Sequence, residues 1–103
     1  MILISGIIRL ASAESVDAAL TALGERAARS RQDAGCIDYV FSRSIEDPRE
    51  LRLLEQWASE AELQAHLAVP DPAFSALLAE ADIQFARVVA HTVTESKTLM
   101  ERG

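Results

Sequence analysis

Residues 51–74, LRLLEQWASEAELQAHLAVPDPAF, decide the reading of the fold. Leu51, Leu53, Glu55 and Trp57 alternate with neighbours on a second face, which is the period of a strand running from Leu51 to Trp57. Ser59 followed by Glu62 is a capping-box pattern, so a helix starts directly after the strand. Pro70-Asp71-Pro72 interrupts that helix. Asp71 offers a new N-cap and Pro72 suits the first helical position. Phe74, Leu77, Leu78 and Ala81 then form the apolar stripe of a further helical segment. The chain's single Trp and one of its two His lie inside this window.

Working outward, Cys36–Ile45 reads as a strand, with Ile37, Tyr39, Phe41 and Ile45 on one face. Glu46-Asp47-Pro48-Arg49 is a turn that joins it to the next strand as a hairpin. Ile2–Leu10 is a β-branched strand, apolar on both faces. Ser12 is an N-cap, and Glu14 and Asp17 fall in the first helical turn, where the dipole favours negative charge. Val16, Leu20, Leu23 and Ala27 recur at helical spacing, and Gly35 is the stop, which predicts a helix from about Glu14 to about Gln32. The last strand runs from Ile83 to about Thr94, followed by a polar tail. The predicted order is βαββαβ, a ferredoxin-like α+β fold with a four-stranded antiparallel sheet covered on one face by helices. Residues 1–103 read as a single domain.

The first strand does not alternate, and the last (Phe85, Val88, Val89, Ala90, Val93) does so weakly. A sheet with one wet face alternates. The second face therefore needs a cover that 103 residues do not supply. A second copy of the chain is the simplest cover, which predicts a homodimer through the sheet faces and last strand.

Composition narrows the classes of function. Half of the residues are hydrophobic, a quarter are charged, and the net charge is −6. An acidic surface repels phosphate backbones, which argues against nucleic acid as a partner. No apolar run approaches the roughly 20 residues needed to span a bilayer, so no membrane partner is expected. The apolar start Met1–Ile8 lacks a basic n-region and a cleavage site, and Cys36 stands alone. Both point to a cytoplasmic setting. One Cys and two distant His make a poor metal-ligand set.

The pattern Gly35-Cys36-x-x-Tyr39, Asp47-Pro48, Leu54-Glu55-Gln56-Trp57 and Leu63-x-x-His66-x-x-x-Pro70 resembles the antibiotic biosynthesis monooxygenase (ABM) domain family. The resemblance implies a dimeric α+β barrel made of two ferredoxin-like sheets. It also implies a cavity between sheet and helices in each protomer. By the same resemblance, the activity is cofactor-independent oxidation of a small phenolic or quinol-type compound. Relatives degrade haem or isomerise small sugar-like signals. Haem-degrading relatives use an Asn on the first strand, and polyketide-oxidising ones an Asn near the Trp. This chain contains no asparagine, which argues against haem degradation and weakens the polyketide mechanism.

Chemistry without metal or flavin needs a base, a dry cavity and donors for an anion, so that the deprotonated substrate itself can reduce dioxygen. His66 is the candidate base, because histidine titrates near neutrality. Its competing role is a partly buried helical His bonded to a backbone carbonyl. Trp57 would stack on an aromatic substrate and donate its indole N–H, or else anchor the strand against the second helix. The Tyr39 hydroxyl would donate to an oxyanion, or sit at the rim of the core. Glu55, Phe41 and Phe74 are the candidate substrate-binding residues. A desolvated Glu55 would have a raised pKa; an ion pair with Arg43 or Arg52 is its alternative. His91 reads as a structural hydrogen-bonding residue near the interface. Arg26, Arg29 and Arg31 read as a solvated helix end, and Cys36 as a buried small residue. The non-oxygenase alternatives are a non-redox isomerase, with His66 shuttling a proton between carbons, and a non-catalytic small-molecule-binding dimer module.

Overall fold

Strand Ile2–Leu10 (β1) pairs along its whole length with two partners, and this double pairing organises the molecule. The computed structural model describes residues 1–103. The other elements are α1 (Ala13–Ser30), β2 (Cys36–Arg43), β3 (Glu50–Trp57), α2 (Glu60–Ala68), α3 (Pro72–Glu80) and β4 (Ile83–Thr92). The sheet order is β2-β3-β1-β4, antiparallel throughout. This is the ferredoxin-like arrangement expected, with the second helical region split in two at Pro70.

The caps explain the helix boundaries. Ser12 accepts the N–H of Ser15, Ser59 that of Glu62, and Asp71 that of Phe74. The Ser59 motif is only half a capping box. The Glu62 carboxylate does not return to the backbone of Ser59, and its Oε2 is buried without a partner. It lies against Gly35, whose φ is +79°. A Cβ on Gly35 would collide with the Glu62 carboxylate.

On the helix face, Ile2, Ile4, Leu10, Leu51, Leu53, Trp57 and Tyr39 meet Val16, Ala19, Leu23, Ala27 and Leu63. Two expected inward residues do not join them. The register of β2 shifts between Cys36 and Asp38. A bulge places two residues of one strand against one of the other, and it leaves Ile37 56% exposed. Ile45 lies beyond β2, in the turn, and is fully exposed.

The helices sit over β2, β3 and β1, whereas β4 is exposed along nearly its whole length. Its Val88 stands opposite Gly6 and Phe85 opposite Arg9, on alternate faces, and both side chains are largely open. No helix is long and apolar enough to cross a membrane.

Candidate active site

β3 delivers Glu55 and Trp57 to the helix face two residues apart. Trp57 is completely buried, and its indole N–H donates to Glu55 Oε1 at 2.9 Å. β2 places Tyr39 directly across from Glu55. The first turns of α2 bring His66 down onto Trp57, with ring centroids 4.6 Å apart at 35°. Tyr39 lies 5.8 Å from the same imidazole. Phe41 packs edge-on to Tyr39 at 5.7 Å and reaches Phe74 of α3 at 6.4 Å. The six sequence candidates thus form one contiguous packed group.

The partners of this group come from α1. Arg26 Nη2 lies 3.1 Å from His66 Nε2, and Arg26 Nη1 donates to Asp71 Oδ2 at 3.0 Å. The guanidinium carbon stands 4.7 Å above the Phe74 ring and 5.9 Å from Tyr39. Asp33, in the turn after α1, holds His66 Nδ1 at 2.6 Å. Arg29 donates to Asp71 at 2.7 Å, and Arg31 to the Tyr39 carbonyl at 2.7 Å. Arg29 and Arg31 are exposed, as expected of a helix end, whereas Arg26 is half-buried; all three side chains tie this end of α1 to β2 or to the α2–α3 turn. Sequence spacing contained the signal for Arg26. The buried positions of α1 are Val16, Ala19, Leu23, Ala27 and Ser30, and Arg26 falls within that stripe at i+3 from Leu23.

Two other expectations change. Glu55 makes no ion pair within the chain. Arg52 joins Glu50 and Arg43 joins Asp17, so the partner of Glu55 is the indole. His66 bonds to side chains rather than to a backbone carbonyl. His91 bonds Ser5 across the β1–β4 pair at 3.2 Å, on the sheet face away from the helices. Cys36 is half-buried and donates to the Asp38 carbonyl.

Burial sets the electrostatics. Desolvation pushes the Glu55 carboxyl above its ordinary pKa, against the opposing pull of the Trp57 N–H and Arg26. Desolvation and the Glu55 carboxylate push the Tyr39 phenol up, while Arg26 and Ser30 pull the other way. The Arg29 guanidinium, with the Phe74 N–H and Arg26, holds Asp71 down at about 2.

A cleft of about 330 Å³ opens beside this assembly, lined by Arg26, Asp33, His66 and Asp71 among others. Of the six candidates only His66 is on its wall. Phe41 instead lines a separate, more apolar groove of about 200 Å³ between α1 and β2. Trp57, Tyr39 and Glu55 form the packed layer behind His66. The arrangement provides an imidazole backed by an aromatic platform, bonded to a carboxylate on one side and a guanidinium on the other.

Over residues 1–80 the sequence matches the profile of the family described as antibiotic biosynthesis monooxygenase. None of the curated proteins is significantly similar in sequence. Among solved structures, a protein from Deinococcus radiodurans assigned to the antibiotic biosynthesis monooxygenases superposes with a TM-score of 0.87 at 25% identity. That match covers 98% of this chain and 100% of the other. A Pseudomonas aeruginosa protein gives 0.71 at 26% identity over 91% and 94% of the two chains. SnoaB, a cofactor-independent oxygenase from Streptomyces nogalater solved as a mutant, gives 0.72 at 16% identity over 97% of each chain, a likeness of fold.

Proposed function

The chain belongs to the antibiotic biosynthesis monooxygenase family, and from that premise we propose that it is a cofactor-independent monooxygenase acting on a small phenolic or quinol-type compound. The observation that carries the reading is the position of His66: its ring is stacked on Trp57, within reach of Tyr39, and on the wall of a cleft. His66 takes the proton of a substrate hydroxyl. The resulting phenolate passes one electron to dioxygen, and the radical pair combines through a new carbon–oxygen bond. Loss of water then leaves a carbonyl, so that one phenol and one O₂ give one quinone and one water. Tyr39, kept protonated by its surroundings, backs the imidazole from the packed layer. Trp57 supports the imidazole, and Glu55 orients the indole. Phe74 forms the floor under Arg26, and Phe41 braces Tyr39.

Oxygen uptake with a panel of phenols and hydroquinones tests the proposal, using metal-free protein. We expect turnover that falls by roughly 10²-fold or more in His66→Ala, the size typical of a lost general base. No turnover above background, or unchanged turnover in His66→Ala, would sink it. The second reading is a non-catalytic binding module, favoured by the full burial of Trp57 and the satisfaction of its N–H by Glu55. That reading requires phenol binding with no oxygen uptake.

The assembly proposed is a homodimer through the open sheet face and β4. Leu54 at 36% exposed, on the open face, and Phe85 and Val88 on β4 supply the apolar surface. Light scattering at micromolar concentration should report twice the monomer mass; a stable monomer overturns this part.

A further inference from the structure

Two contacts determine which nitrogen of His66 carries the proton. An arginine side chain has donors and no acceptor. Arg26 Nη2 at 3.1 Å from Nε2 therefore donates, and Nε2 accepts. The ring is neutral, with its one proton on Nδ1, donated to Asp33 Oδ2 at 2.6 Å. The Asp33 side chain is 39% exposed while that of His66 is 3% exposed, so water reaches the carboxylate but hardly the ring. A carboxylate in this position holds the tautomer and stabilises the imidazolium that forms when Nε2 takes a proton.

We propose that Asp33 is the positioning residue that makes His66 a base, and that Arg26 keeps the place of a substrate hydroxyl, so that the cleft selects compounds bearing an acidic O–H. The proposal rests on the reading that His66 abstracts a proton. A group that enters between Nε2 and the guanidinium must donate to the first and accept from the second. A hydroxyl does both. A carboxylate brings no proton, and an ammonium offers no lone pair. When the proton moves to Nε2, the imidazolium faces Asp33 and the new oxyanion faces Arg26, so the net charge of the site is unchanged. Arg26 is suited to the exchange. Its Nε is buried without a partner, and Asp71 anchors the same guanidinium through Nη1. The Nη2 edge can therefore change partner while the group stays in place. Besides these, the titratable and charged groups around His66 are Arg29 from α1, Tyr39 from β2, Glu55 from β3, Asp71 before α3 and Glu62 on its own helix.

The test uses para-nitrophenol, whose colour reports its own ionisation, titrated into the full chain under argon. We expect the bound probe to ionise about one pH unit or more below the free one, a roughly tenfold shift in its acid constant. Benzoate and benzylammonium should bind at least roughly tenfold more weakly. Asp33→Asn should move the bound ionisation back towards the free value, and Arg26→Met should leave the bound probe neutral, with partial rescue by Arg26→Lys. Heteronuclear NMR of the wild-type ring nitrogens should show the neutral Nδ1–H tautomer, a readout independent of whether the variants fold. An Nε2–H tautomer, a probe that fails to bind, or unchanged ionisation in both Asp33→Asn and Arg26→Met overturns the proposal. Probe ionisation without oxygen uptake from any phenol would sink the oxygenase reading and leave this one. Uptake with an unperturbed probe would do the reverse.

Discussion

Towards the N-terminal end of α1 the fully buried core is aliphatic, built from Leu10, Val16, Ala19, Leu23 and Leu51, with Phe41 and Phe74 packed at its edge. Under the C-terminal half, Tyr39 and Trp57 join Ile2, Ile4, Leu53 and Leu63, and Glu55, His66 and Ser30 are buried alongside. One helix and one sheet span both regions, so backbone does not distinguish them. The aliphatic end gains stability from every buried side chain. The aromatic end carries ionisable groups whose desolvation costs stability unless each finds a partner. It finds them one by one: indole to Glu55, imidazole to Asp33 and Arg26, guanidinium to Asp71. The first region holds the fold, and the second uses part of that stability to keep titratable groups dry.

The contrast can be broken most forcefully at Trp57. Trp57→Ala should cost about 3–5 kcal/mol, since it opens a large cavity and strips Glu55 of its donor; urea unfolding measures it. Leu23→Ala at the aliphatic end should cost about 2–4 kcal/mol and leave oxygen uptake per folded molecule unchanged. If it lowered uptake as far as is expected for His66→Ala, the division between the two regions would fail.

A smaller effect of opposite sign is expected at Glu55. Its folded-state pKa is raised by burial, so the folded chain holds this proton more tightly than the unfolded one. The ionised carboxylate therefore costs stability, and the cost is absent below the ordinary value of 4.5. It grows as pH rises through the folded value and is then constant. Glu55→Gln keeps an acceptor for the indole and should stabilise by about 1 kcal/mol at neutral pH. That advantage should vanish in melts at acid pH; an advantage that grew on acidification would contradict the assignment. The smallest change is Gly24→Ala. Nothing lies within 4 Å of an added Cβ on this helical glycine, so a gain of about 0.5–1 kcal/mol in thermal or urea unfolding is expected from helix propensity.

The strand–cap–helix grammar was legible because it is local. Ser12, Ser59 and Asp71 cap helices within three residues of themselves. The face of β2 was misread at Ile37 because one bulged residue reverses the alternation, and a bulge leaves no mark in composition. Trp57 and His66 were legible as a pair, being nine positions apart across a single cap. Asp33 and Arg26 were not, because each reaches His66 from more than thirty residues upstream. Arginines at a helix C-terminus also satisfy the dipole rule without any tertiary role. Only the buried stripe of α1 distinguishes Arg26 from Arg29.

Surface turns ordinarily drift in length and composition. The turn between α1 and β2 is closed to such drift. The Asp33 N–H bonds the Ser30 carbonyl, its own carbonyl accepts from Cys36, and the Gly35 carbonyl accepts from Ala58 at 2.8 Å. Its side chain is committed to His66, and Gly35 admits no Cβ beneath Glu62. An inserted or deleted residue would withdraw the carboxylate from the imidazole and dislodge the start of α2 together. In a saturation library this exposed connection should therefore tolerate change as poorly as the buried core, and the hereditary freedom of the chain lies elsewhere.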